Sequence, residues 1–255
     1  MSDALRESMV SACCLLRRLP LFFHAAPKTP LRVLGIVAFD TLHVLRTSHP
    51  LPETTVADLA TFLDFEGCAN AQWDNKERCE TECRRIRQRL EDAGLGACIE
   101  EYLHQLSKLE STRPSPGGDH RRFTEARTYR EAVGRLSLST AAAIALQTSV
   151  KDDDDVDTLC RILMQCQIVD DVLDYAEDAS AGLPSFLTAS ASLPDALVWS
   201  AAAARSYSTL SPTQRRSVVF PFRVALWLLT MVARGVILIS RTAHQTVKTP
   251  APQRP

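Results

Sequence analysis

Glycine is scarce in this chain, with 9 among 255 residues, and no segment alternates apolar and polar side chains as a half-buried strand does. Alanine and leucine, which favour helices, are abundant. These features exclude a mainly β architecture and predict an all-α chain. A chain of 255 residues can bury one substantial core. We therefore expect a single-domain helical bundle over residues 1–245 and a disordered polar tail at 246–255.

An excess of charge of either sign is also lacking, since 29 basic residues stand against 30 acidic ones. No basic stripe is interleaved with aromatic residues, so nucleic acid is not expected as a partner. The 8 cysteines form neither a disulfide framework nor paired zinc-finger spacings. Reduced thiols of this kind predict a cytoplasmic protein.

A long uninterrupted apolar segment is missing as well. The strongest candidate, residues 218–240, contains Pro221, Arg223, Arg234 and Gly235, and Arg234 divides it. We expect a helix that is buried or touches a membrane surface rather than one that crosses it. The N-terminal region lacks the basic start and long apolar core of a signal peptide. Peripheral membrane contact through the C-terminal helix and a homodimer both stay open.

What the chain does have is a dense acidic run inside an otherwise apolar stretch. We expect a single helix from Val156 to about Ala179, mostly buried, with the acidic groups towards its end and a stop near Gly182 and Pro184. Carboxylates on one buried face repel one another and lose solvation unless a cation joins them. Their hard oxygens suit Mg²⁺, which is commonly shared with substrate phosphates. The alternative is an acidic face open to solvent. The face in question carries Gln167, Asp171, Asp174 and Asp178, with Asp170 and Glu177 beside it.

A second set of polar side chains lies on the helical stretch predicted from Glu53 to Leu90, which we expect to break near Gly67. Glu66, Asn70 and Asp74 are spaced by four and so share one helical face. If the first set binds metal for a phosphate ligand, this face would supply the opposite ligands, with Asn70 and Asp74 as the favoured pair. The alternative is the polar side of an ordinary amphipathic helix.

Arginines are concentrated around the start of the helix predicted from about Phe123 to Leu146. Arg127 and Arg130 lie one turn apart beside Tyr129, and Arg135 follows them. A planar guanidinium group binds phosphate through two hydrogen bonds, so a diphosphate is a suitable ligand. The alternative is an exposed basic end of a helix.

These motifs resemble those of the class I isoprenoid synthase superfamily. Residues from Gln167 to Asp174 match the QxxDDxxD pattern of trans-prenyl diphosphate synthases. The continuation through Glu177, Asp178 and Gly182 is similar to the DxxED segment of squalene and phytoene synthases. The resemblance is therefore closest to squalene/phytoene synthase-like proteins and related terpene synthases.

The resemblance implies a helical bundle around a central cavity that holds a prenyl diphosphate and a cluster of Mg²⁺ ions, up to about three. It implies that arginine and metal charge stabilise the departing diphosphate. Carried over residue by residue, the metal ligands are Asp170, Asp171, Asp174, Asp178, Asn70, Asp74 and Glu66. The catalytic residues are Arg127, Arg130 and Tyr129, and the substrate-binding residues are Arg127, Arg130, Arg135 and Gln167.

A DDxxD motif is absent from the first half of the chain, although chain-elongating synthases carry one. The resemblance therefore favours a Mg²⁺-dependent terpene synthase or cyclase that ionises one prenyl diphosphate and releases diphosphate. A head-to-head prenyltransferase of the squalene/phytoene type is the alternative within the same chemistry. A catalytically degenerate helical protein that serves in binding or assembly is the non-enzymatic alternative.

Overall fold

The computed structural model describes residues 2–24, 30–73, 80–147 and 152–248. Within these ranges the regular structure is entirely helical, with no strand, so the expectation of an all-α chain is confirmed. The helices are α1 Asp3–His24, α2 Pro30–Thr47, α3 Glu53–Trp73, α4 Glu80–Asp92, α5 Gly96–Glu110, α6 His120–Leu146, α7 Asp154–Leu173, α8 Tyr175–Ala181, α9 Leu193–Ser208, α10 Gln214–Ser217 and α11 Phe220–Lys248.

The contacts within the chain fall into two compact units. Unit 1 comprises Met1–Ser111, Arg135–Asp157 and Val218–Pro221. Unit 2 comprises Thr112–Gly134, Thr158–Ser217 and Phe222–Pro255. The residues of the acidic run all belong to unit 2, whereas Glu66 and Asn70 belong to unit 1.

Unit 1 is held together by helix packing and by one buried ion pair. Helix α1 packs on α2, α3 packs on α2 and α4, and α4 packs on α5. Asp40 of α2 is completely buried and accepts a hydrogen bond from Arg18 Nε at 3.2 Å and another from the Leu51 N–H at 2.8 Å. Because a buried carboxylate is costly without such partners, these contacts fix α1 and the end of the loop before α3 on α2.

Unit 2 is built around an apolar core contributed by α6, α7, α9 and α11. Its fully buried members include Ile168 of α7, Ala204 of α9 and Ala233 of α11. A Cβ atom at Gly134 of α6 would lie 2.7 Å from the Met164 side chain, so this glycine permits close packing of α6 on α7. The loop after α8 is attached to the segment just before α6 through hydrogen bonds from the Gly117 N–H to the Thr188 carbonyl and from the Ala191 N–H to the Gly118 carbonyl.

The acidic run is not one helix, so the prediction of a single helix from Val156 to about Ala179 is wrong. Helix α7 ends at Leu173, and Asp174, with φ −99° and ψ 11°, introduces a bend before α8. Backbone hydrogen bonds from Asp174 to Asp170 and from Asp178 to Asp174 continue across the bend. The expected burial also fails in this part, because α8 has no buried residue. Its sequence lacks large aliphatic side chains that would hold it against the core.

One other expectation is wrong, because helix α3 continues through Gly67, where a break was expected. The end expected near Gly182 is confirmed, since Gly182 caps α8 in the left-handed region with φ 64°. Residues 74–79, in the expected long helical stretch, and most of the tail 246–255 lie outside the described residues.

One helix in the described part of the chain, Phe220–His244, is long and apolar enough to cross a membrane. Core helices of soluble proteins meet the same criteria, so this property alone is weak support for a membrane location. Only 28% of its most apolar window is buried, which leaves much of its apolar surface uncovered by the described residues.

Candidate functional site

The centre of the acidic run is a buried ion pair between α7 and α6. Asp171 is 2% exposed, and its Oδ1 accepts a hydrogen bond from Arg130 Nη2 at 2.7 Å. Its other oxygen, Oδ2, accepts from the Phe186 N–H at 2.6 Å. Both oxygens therefore already have protein partners. The geometry shows a carboxylate that fixes the Arg130 guanidinium group and the loop after α8.

Burial has a large effect on the acidity of Asp171. Loss of solvent raises its pKa from 3.8 to about 6, although the Arg130 charge and the Phe186 N–H both act to lower it. The charges of Asp178 and Asp170 contribute further to the increase. A low-dielectric environment favours the neutral form of a carboxyl group, which explains the direction of the change.

The other carboxylates of the run surround this pair and face solvent to a greater extent. Asp170 and Asp174 are exposed, and neither makes an ion pair with a described residue. Loss of solvent and the charge of Asp174 raise the pKa of Asp170. Loss of solvent raises the pKa of Asp178 as well, and the charges of Asp174 and Asp170 add to the effect. The three carboxylates thus repel one another.

Arg130 acts on the whole group, because its charge lowers the pKa of Asp170, Asp171 and Asp178. Its Nε is buried and has no hydrogen-bond acceptor among the described residues. The side-chain oxygen of Gln167, one turn before Asp170, is also buried without a partner in the same described set. Buried polar atoms are usually paired, so these two atoms indicate space for a polar ligand or ordered water.

Arg127 lies one turn from Arg130 but belongs to a different network. Its Nε donates to Glu131 at 2.8 Å and to the Tyr207 hydroxyl at 3.1 Å, and its Nη2 donates to the Ser206 hydroxyl at 2.9 Å. The guanidinium carbon also lies 4.7 Å from the centre of the Tyr207 ring. These contacts attach α6 to α9. The substrate-binding role expected for Arg127 stays a prediction.

The remaining residues of the predicted basic strip occupy less enclosed positions. Tyr129 is half-buried on α6. Arg135, within unit 1, forms an exposed ion pair with Asp157 at 2.9 Å. Arg130 donates to Asp171 of the acidic run, whereas Arg127 and Arg135 donate to Glu131 and Asp157. Their catalytic and substrate-binding roles are not tested by these contacts.

In unit 1, Glu66 lies in an environment that the sequence does not reveal. Loss of solvent raises its pKa, and the nearby Ser137 hydroxyl opposes the increase. Tyr102 is 1% exposed. Its burial and, to a smaller extent, the charge of Glu66 raise the pKa of its hydroxyl. Ser137 and Tyr102 belong to α6 and α5, far from Glu66 in sequence, so no local pattern identifies them. Asn70 is half-buried on α3, and Asp74 lies outside the described residues.

Aromatic residues near Glu66 pack in a core. Phe62 and Phe65 of α3 contact Tyr102 edge-on, with ring centres 5.3 and 6.3 Å away. In the described ranges, no group of three or more His, Cys, Asp or Glu side chains has an arrangement that could hold a metal ion by itself. The carboxylates of the acidic run nevertheless have suitable chemistry, because Mg²⁺ retains several water ligands and needs few protein carboxylates.

Comparisons of the chain with protein-family models, with curated proteins and with solved structures gave no match.

Proposed function

We propose that the chain is a Mg²⁺-dependent terpene synthase or cyclase that ionises a prenyl diphosphate and releases diphosphate. One observation carries this proposal: the unpaired carboxylates Asp170 and Asp174 lie in one electrostatic cluster with Arg130, whose buried Nε lacks an acceptor. The carboxylates attract a divalent cation, and the guanidinium group attracts an anion. A metal diphosphate supplies both partners.

The proposal divides the acidic residues into two roles. Asp170, Asp174 and Asp178 would hold Mg²⁺, which when bound supplies positive charge that stabilises the departing diphosphate. Asp171 has both oxygens engaged, so we assign it the positioning of Arg130. The Arg130 Nε–H is then available to a diphosphate oxygen. Because the Gln167 amide has an unpartnered end, it can present its NH₂ group to the same anion after rotation of the amide.

Loss of diphosphate leaves an allylic cation on the prenyl chain, so the site must keep water away from that carbon. A ligand role for Glu66 and Asn70 of α3, and for Asp74 outside the described residues, stays a prediction from the sequence. The central cavity and the isoprenoid synthase type of bundle belong to the same proposal. Their support is the resemblance of residues 167–184 and the all-α architecture.

The test is turnover by the purified full chain with Mg²⁺ and geranyl, farnesyl or geranylgeranyl diphosphate, measured as diphosphate release together with extracted product. A hydrocarbon or alcohol of unchanged carbon number is expected. Asp174→Asn should lower turnover by orders of magnitude, whereas Asp195→Asn, an exposed carboxylate on α9, should leave it unchanged.

The other outcomes separate the alternatives. A product of doubled carbon number would show that the protein is a head-to-head prenyltransferase and not a terpene synthase. Absence of turnover with all three substrates, in protein that is folded and binds diphosphate, would favour a helical binding or assembly protein. Equal turnover by Asp174→Asn and the unchanged protein would remove the acidic run from the mechanism.

A further inference from the structure

Helix α11 exposes a contiguous apolar face. Its large hydrophobic residues recur at helical spacing on the side that the core does not cover. The opposite side is buried, since Leu226, Ala233 and Ile237 are almost fully covered within unit 2. Thr230 on the buried side accepts a hydrogen bond from Gln165 Nε2 at 3.0 Å. The exposed face consists of Trp227, Leu228, Met231, Val232, Leu238 and Ile239, with exposures from 48% to 68%.

Positive charge accompanies this face, and negative charge is absent from it. None of the 29 residues of α11 is Asp or Glu. Arg234 and Arg241 of α11 and Arg205 of α9 line a groove of about 390 Å³ that also includes Met231 and Leu238. None of these three arginines makes an ion pair with any residue that the structure describes. The groove therefore combines unneutralised guanidinium groups with exposed aliphatic side chains.

We propose that this face, the α11 apolar face, binds the surface of a membrane that contains anionic phospholipid. The apolar side chains would enter the boundary between headgroups and acyl chains, and the three arginines would bind lipid phosphate groups. This inference does not depend on the catalytic proposal, because it uses no residue of the acidic run.

Two features favour a helix lying on the membrane over other occupants. The buried side of α11 is part of the core of unit 2, so crossing the bilayer would require that core to open. In a twofold dimer through this face, the arginine-lined grooves of the two copies would lie close together, and their like charges would repel each other. An anionic lipid surface complements both the apolar and the cationic parts of the face.

The experiment is sedimentation of the full chain with vesicles of phosphatidylcholine alone or of phosphatidylcholine mixed with phosphatidylserine. Binding to the mixed vesicles is expected, with weaker binding to the neutral ones. Replacing one arginine should weaken binding to mixed vesicles about fivefold, and Arg234→Gln with Arg241→Gln about 25-fold. Arg85→Gln replaces an exposed arginine of α4 and changes the net charge as much as one of these single replacements does. It should have no effect on vesicle binding.

Fluorescence of Trp227 provides a second measurement, because burial of the indole among acyl chains shifts its emission to shorter wavelength. The shift should appear with mixed vesicles and disappear in Trp227→Phe, leaving the signals of Trp73 and Trp199. Equal binding to both kinds of vesicle, or equal binding by the double arginine variant, would overturn the proposal. So would a concentration-dependent dimer that buries Trp227 without lipid, or saturable binding of inorganic phosphate with the same arginine dependence and no vesicle binding.

Discussion

Asp171 in unit 2 and Glu66 in unit 1 are both carboxyl groups whose pKa is raised mainly by loss of solvent. Asp171 is compensated by the Arg130 guanidinium group and the Phe186 N–H, and it connects α6, α7 and the following loop. Glu66 has only the Ser137 hydroxyl as an opposing influence on its pKa. A raised pKa alone therefore does not distinguish a structural carboxylate from one with bonding capacity left for a ligand. The set of partners makes that distinction.

The largest effect on stability is expected when Arg130 is replaced, because Asp171 then loses its cationic partner. Glu66 has no such partner among the influences on its pKa. Arg130→Met leaves a buried carboxylate with one N–H partner and should lower the free energy of unfolding by about 3 kcal/mol at neutral pH. The loss should shrink in acid, since Asp171 then takes up a proton. Urea denaturation measures both values. Arg121→Met, which removes an exposed arginine paired with Glu125, should cost less than about 1 kcal/mol and serves as the control.

Protonation of Asp171 should make a measurable contribution to the pH dependence of stability. Its pKa is about 6 in the folded protein against 3.8 ordinarily, so the folded state binds the proton first as pH falls. The contribution of this group to stability should therefore rise from pH 7 towards pH 4, by up to about 3 kcal/mol. Asp171→Asn should remove this rise. Denaturation of both proteins at several pH values in EDTA tests the difference, and identical profiles would contradict it.

A smaller effect of opposite sign is expected at Glu66. Glu66→Gln keeps a polar side chain beside the Ser137 hydroxyl but avoids the cost of burying a charge, so it should raise stability at neutral pH. The gain should vanish in acid, where Glu66 itself is neutral. A decrease in the denaturation midpoint at neutral pH would show that Glu66 is compensated by a partner, as Asp171 is.

The smallest effect should come from the exposed acids of the run. Asp170→Asn and Asp174→Asn should each change the free energy of unfolding by no more than about 0.5 kcal/mol, because both side chains face solvent and make no ion pair with described residues. Thermal unfolding in EDTA measures this. A large loss of stability would mean that these carboxylates, like Asp171, are structural.

Much of the helical architecture follows from local sequence patterns, and the site follows only in part. The alanine and leucine content predicted the helices that the structure contains. Gly182 predicted the end of α8, where it is the left-handed cap. The bend at Asp174 was missed because periodicity alone does not reveal that α8 lacks aliphatic contacts with a core.

The partners of the charged residues are the part that the sequence could not supply. The pairing of Arg130 with Asp171 joins residues 41 positions apart, and that of Arg127 with Tyr207 joins residues 80 apart. One-turn spacing correctly placed Arg127 and Arg130 on neighbouring turns, but it did not predict that they reach different helices. Such choices depend on tertiary packing, which local spacing does not contain.

The most direct test of the proposed metal diphosphate site is calorimetric titration of inorganic diphosphate into the full chain, with Mg²⁺ or with EDTA. The unchanged protein should bind diphosphate only when Mg²⁺ is present, and the double variant Asp170→Asn with Asp174→Asn, which should remain folded, should lose that binding by orders of magnitude. Equal binding with Mg²⁺ and with EDTA, or equal binding by the double variant, would contradict the assignment of these carboxylates to a metal site.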